Sequence, residues 1–281
     1  MKSYKSLIYF VGFSYLFSWL FWGTALLDGQ GIIDLPYSRA FLMIAGTFGP
    51  SAVGLYFLIH FHRRTFLSVI EETFVFCSNN RASTAFLTFA LIPLIFAVSY
   101  LITRFFFGID YMPQWWFTSP ILLPTIYFYI LLLGGPLGEE IGWRGYALPK
   151  LLTMHSPFVA SLILGFVWTF WHLPNFFIPG TSQEGVNFLI FLFNIMVLSL
   201  IMTVIRLKTN RISGAFYVHA NANFSIGVFY IIEQQIALLF IGIGMAISLA
   251  IILYRERHTM FRKLEDKEGL FQTFFKHKEC D

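Results

Sequence analysis

Eight stretches of roughly twenty mostly apolar residues dominate this chain, a length that carries a helix across the hydrocarbon core of a bilayer. They fall at 7–27, 40–60, 84–107, 120–150, 158–178, 186–206, 212–230 and 235–254. Lipid offers backbone N–H and C=O groups no partner, so such runs read as helices that satisfy their own hydrogen bonds. The predicted fold class is therefore all-α: a polytopic membrane protein built as a bundle of about eight transmembrane helices. Composition agrees. Of 281 residues, 57% are apolar and only 12% charged, where an average globular chain carries about 25% charge. This excludes a disordered chain and argues against a soluble domain. It also excludes a nucleic-acid binder despite a pI near 9.0, because a basic groove needs more charge than is present.

Residues 1–254 read as a single integral membrane domain, with its chemistry concentrated at about 120–230. The remainder, 255–281, reads as a charged, peripheral cytoplasmic tail in which Phe271, Phe274 and Phe275 are placed to touch the lipid interface. At the other end, a basic start precedes 7–27, an apolar run longer than a usual signal-peptide core. No small-residue cleavage site follows before Asp28, so the run is expected to remain as the first helix. The fourth run is too long for one simple span. Gly134, Gly135, Pro136 and Gly138 predict a break or kink within it.

Lys and Arg give the orientation. With the N-terminus in the cytoplasm, only Arg39 and Arg104 of the 19 basic residues fall outside. That asymmetry places both termini in the cytoplasm. Trp19, Trp22, Trp115 and Trp116 lie near the predicted outer boundaries, either as an aromatic belt or as core aromatics. Cys77 and Cys280 sit in no zinc-ligand spacing and are too few for a disulfide framework, so both are expected to be ordinary thiols.

Charge within a bilayer costs roughly 2.5–3.5 kcal/mol per residue on insertion scales, so the exceptions are informative. Glu139 and Glu140 are adjacent in GEEIGWRGYALPK, and Arg144 shares a helix face with Glu140. A Glu–Arg pair accounts for one glutamate and leaves the other over. His172 lies in WTFWHLPNFF; alone, it would be read as a satisfied core histidine. His219 and Asn223, in YVHANANF, are spaced to share one helix face, while Asn221 points elsewhere and Asn194 suits an interhelical contact. Counted at helical rise from the predicted inner ends, Glu139, His172 and His219 lie roughly 16, 21 and 12 Å deep. All three are therefore expected near the middle of the membrane.

Such a set has chemistry open to it. A desolvated carboxylate acts as a general base on water, and a histidine shares or orients the proton. A second histidine and an amide donate hydrogen bonds to a developing oxyanion. Together they would hydrolyse an amide, with no serine or cysteine in a nucleophile motif nearby. The alternative is a zinc ion held by Glu139, His172 and His219 that activates the water, although HExxH is absent. A proton-coupled transporter would also bury Glu and His, but the paired broken helices and repeat halves of transporters are missing. A non-enzymatic immunity or scaffold protein is the third reading.

The ordered motifs EExxxR (Glu139, Glu140, Arg144), aromatic-xxx-His (Trp168, His172) and HxxxN (His219, Asn223) resemble the CPBP family. These are the CAAX proteases and bacteriocin-processing enzymes, also called Abi. The resemblance covers about 120–230, and the remaining helices fit as generic spans. It implies intramembrane proteolysis of a membrane-associated peptide or protein within the lipid bilayer, in a bacterial plasma membrane. Bacterial peptide processing or bacteriocin self-immunity is the implied setting. It implies that Glu139 with His172 activates water, that His219 with Asn223 forms the oxyanion hole, and that Glu140 and Arg144 support them. No cofactor is then needed, although the family has also been described as metal-dependent, which keeps zinc as the alternative. The second motif often carries Phe where this chain has Trp168; that position is expected to serve packing, with little effect of the exchange.

Overall fold

The structure is a computed structural model and describes residues 3–36, 38–77, 81–108, 119–229 and 235–263. Among the described residues the chain is helical, with no strand. Helix α1 spans Ser3–Gly29, and α2 (Arg39–Thr47) meets α3 (Gly49–His62) at Phe48. Helix α4 (Phe66–Phe74) is short, and α5 (Leu91–Phe107) continues a helical run that begins at Arg81. The long fourth run is divided into α6 (Leu122–Leu133), α7 (Pro136–Gly142) and α8 (Leu148–Leu152). Then come α9 (Pro157–Trp171), α10 (Phe188–Thr209), α11 (Ile212–Phe229), α12 (Gln235–Arg255) and α13 (Arg257–Phe261).

Among the described residues, seven helical stretches are long and apolar enough to cross a membrane. The expected span at 212–230 is not among them, although α11 occupies it. His219, Asn221 and Asn223 make this helix too polar to qualify by composition. Its position compensates: α11 packs against α4, α5, α6, α7 and α10. The segment that lipid would tolerate least is thus the one surrounded by protein. The chain is an all-α, multi-pass membrane protein.

The predicted break lies at Gly134–Gly135. Gly135 adopts φ +119°, a conformation that side chains other than hydrogen rarely accept, and Pro136 starts α7. Further on, Trp143–Ala147 widens into a π segment in which Leu148 N–H reaches the Trp143 carbonyl. Pro149 follows and cannot donate a helical N–H, which the widening accommodates. The same pairing recurs at Phe86–Ala90, ahead of Pro93.

Helix α7 touches its neighbours backbone to backbone. A Cβ on Gly138 would fall 2.7 Å from the Thr47 carbonyl oxygen, and one on Gly142 would fall 2.2 Å from that of Pro50. Gly138 and Gly142 therefore act as a small-xxx-small contact with α2 and α3, and Glu139 and Glu140 lie between them. Beyond α7, buried ionic contacts tie α4 to α10. Glu72 accepts from Arg64 at 3.0 Å and from Arg206 at 2.8 Å.

Several expectations change at this level. Trp22 is a core residue, with its ring 4.5 Å from that of Trp171, whereas Trp19 is partly exposed and donates to the Trp171 carbonyl. Trp115 and Trp116 lie outside the described residues. Cys77 is disulfide-bonded rather than a free thiol, and Cys280 lies outside the described residues. The start of the expected tail packs on the bundle through α13, where Met260 is fully buried and the Phe261 ring lies 4.8 Å from that of Phe158. Phe271, Phe274 and Phe275 lie outside the described residues.

Candidate active site

Three helix features bring the polar residues together. The first is the start of α7, where the break delivers Glu139 and Glu140 in the first full turn after Pro136. Both are buried, and they face different partners. Glu140 Oε1 accepts from Arg144 Nη1 at 3.1 Å and from His219 Nδ1 at 2.7 Å. Glu139 Oε2 accepts from the indole Nε1 of Trp168.

The second feature is the C-terminal end of α9. Ser156 caps the start of this helix and Pro157 occupies its first turn. The helix stops at His172 because Pro174 follows. The last carbonyls of a helix have no intrahelical donor. His172 Nδ1 supplies one to the Trp168 carbonyl at 2.8 Å. A carbonyl can only accept, so the proton is on Nδ1 and Nε2 presents a lone pair.

The third feature is the middle of α11. His219 Nδ1 faces the Glu140 carboxylate, which leaves Nε2 to accept from Asn223 Nδ2 at 3.2 Å. Asn223 Nδ2 also donates to the Gly134 carbonyl at 2.8 Å, satisfying a group that the break releases. Asn221 lies on another face, donating to the Thr88 carbonyl and accepting from Tyr127. Asn194 bridges to the Leu238 carbonyl on α12, the interhelical contact expected of it.

Glu139, His172, His219 and Asn223 all line one cavity of about 770 Å³. Glu140 and Arg144 stand behind this wall, both fully buried. Gly135 marks the point of convergence. A Cβ there would sit 3.0 Å from Asn223 Nδ2 and from Glu139 Oε1, and 3.5 Å from His219 Nε2. The absence of a side chain at Gly135 keeps this space open between the polar groups.

Trp168 is the residue that sequence reasoning passed over. It was expected to pack, yet its indole bonds Glu139 and its carbonyl bonds His172. Its ring also lies 4.3 Å from the Arg144 guanidinium and 5.1 Å from the His219 ring. An indole N–H is a donor and phenylalanine has none, and that difference was the available signal.

A model of the Type II CAAX prenyl endopeptidase Rce1-like family matches residues 120–225. CAAX prenyl protease 2 of Methanococcus maripaludis is 29% identical over 191 residues, covering 63% of this chain and 67% of that protein. Residues 120–225 are thus similar to CAAX prenyl endopeptidases of this type. The similarity supports a membrane endopeptidase. The match spans α6 to most of α11, the part of the chain that carries Glu139, His172, His219 and Asn223 to the cavity wall.

Proposed function

We propose that the chain hydrolyses a peptide bond in a membrane-associated peptide or protein with a water activated between Glu139 and His172. The observation that carries this reading is the shared partner of the pair: Trp168 binds one carboxylate oxygen and fixes the imidazole tautomer. Two acceptors remain toward the cavity, Glu139 Oε1 and the His172 Nε2 lone pair. Glu139 takes a proton from the water as its oxygen adds to the carbonyl carbon. The carbonyl π electrons move to oxygen. The proton then passes to the leaving nitrogen as the C–N bond breaks, giving a carboxylic acid and an amine.

His219 and Asn223 serve the oxyanion. With a second proton on Nε2, the His219 ring is an imidazolium opposite the Glu140 carboxylate, and Arg144 holds that carboxylate in place. The imidazolium Nε2–H and the Asn223 amide are then donors directed at the developing charge.

A zinc ion fits this donor set poorly. Zinc needs three protein ligands at about 2.0–2.2 Å around one point. Among the described residues, no three His, Cys, Asp or Glu side chains are grouped to hold a metal. No step is therefore routed through a metal. Chelators should leave activity in place; activity that tracks one tightly held zinc per chain would reverse this conclusion.

The cavity supports an apolar substrate. Phe96, Ile130, Ile195, Leu198, Ile241 and Met245 also line it. Given the prenyl protease named among its relatives, a farnesylated-cysteine peptide with a three-residue C-terminal extension is the first substrate to try. The same peptide without lipid serves as its partner. A bacterial plasma membrane, with peptide processing or bacteriocin self-immunity, is the setting this reading favours. Purified wild-type protein in liposomes should cleave at least one of the peptides, and Glu139→Gln should abolish cleavage while keeping the fold. Equal turnover by Glu139→Gln would sink the proposal.

A further inference from the structure

We infer that Trp168 is a positioning residue for the general base: its indole N–H holds Glu139 Oε2 so that Oε1 alone faces the cavity. This rests on the glutamate reading given above. A buried carboxylate has two oxygens with about four lone-pair directions, and an unheld one can rotate between them. Here one oxygen is bound by a donor that cannot also accept. The other lies on the side of Asn223 Nδ2 and His219 Nε2, as the space at Gly135 shows.

The indole is itself held. Trp168 is 1% exposed, and its ring contacts both the Arg144 guanidinium and the His219 ring. The backbone of the same residue accepts the Nδ1 proton of His172. The two groups that would share a water therefore take their orientation from one residue on α9.

Packing and hydrogen bonding make different demands on position 168. Trp168→Phe keeps an aromatic ring against Arg144 and removes the N–H. A benzothienylalanine placed at 168 keeps the full bicycle and removes only the donor. Hydrogen bonds to charged groups contribute roughly 1.5–3 kcal/mol, so kcat should fall by roughly tenfold to a hundredfold in both variants. KM should stay within about twofold, since the indole holds the base and not the substrate. The thermal midpoint of the benzothienylalanine protein should fall no further than that of Trp168→Phe, because it loses the donor and keeps the bicycle.

The farnesylated peptide and its lipid-free partner are the substrates. Wild-type protein that cleaves neither removes the glutamate reading and this inference with it. Wild-type cleavage matched by an unchanged kcat in the benzothienylalanine protein overturns this inference alone. A fall in kcat for Trp168→Phe that the benzothienylalanine protein does not share also overturns it, because ring shape is then what matters.

Discussion

Glu139 and Glu140 are neighbours in sequence with different surroundings. Glu140 meets a guanidinium and an imidazole; Glu139 meets one indole and the cavity. Their substitutions should therefore separate. Glu140→Ala leaves the fully buried Arg144 guanidinium without its carboxylate. Breaking a buried ion pair in this way costs about 3–5 kcal/mol, so thermal unfolding of the purified protein should begin at a clearly lower temperature. An unchanged midpoint would contradict that pairing. Glu139→Gln should keep the midpoint and lose turnover. His219→Ala and Asn223→Ala should each slow turnover on the order of a hundredfold through a lost oxyanion donor. Asn223→Ala should also destabilise the protein, because the Gly134 carbonyl loses its donor. Most of this site is legible in sequence because lipid makes each polar residue conspicuous. The division of labour is less so. The Glu140–Arg144 pair follows from helical spacing, but the reach of His219 to Glu140 requires α11 to be placed against α7. Trp168 is hidden for a related reason: among apolar neighbours an aromatic residue reads as packing until its N–H is seen to meet a carboxylate.

At the scale of the element, the broken fourth run does the positioning. The glycines and Pro136 mark the break in advance. What they do not reveal is that the released Gly134 carbonyl is taken up by Asn223, so the break and the oxyanion residue support each other. The π segments are also absent from the sequence reading, since a proline announces a disturbed helix without specifying its form. Gly135→Ala tests the break. An alanine there must adopt a backbone conformation costing of order 1–3 kcal/mol. Its methyl would also enter the space 3.0 Å from Asn223 Nδ2 and Glu139 Oε1. Turnover should fall at least tenfold while the protein still inserts and can be purified, the polar groups having been forced apart. Wild-type turnover in this variant would show that the space is not used.

For the whole molecule, the run of apolar segments carried the fold class almost unaided, because hydropathy is the property a membrane selects. The sidedness is a proposal from the basic residues: both termini are expected in the cytoplasm. A reporter active only outside the cytoplasm, fused after Lys263, should be silent, and a cytoplasmic reporter should be active. The reverse pattern would invert the topology. The run at 212–230 is where α11 lies, although the site's own polarity masks it as a membrane span by composition alone.

That masking has a consequence for how the protein is made. A segment carrying a histidine and two asparagines gains little by entering lipid alone, and α11 owes its place to five helices that wrap it. All five precede it in the chain, and the last of them, α10, is joined to it by a short turn around Asn210. During synthesis, then, the earlier helices can be waiting in the membrane as a receptacle when α11 emerges. Insertion of the last catalytic helix and assembly of the active site become a single event, and a chain that misplaces its early helices has no site to leave half-built.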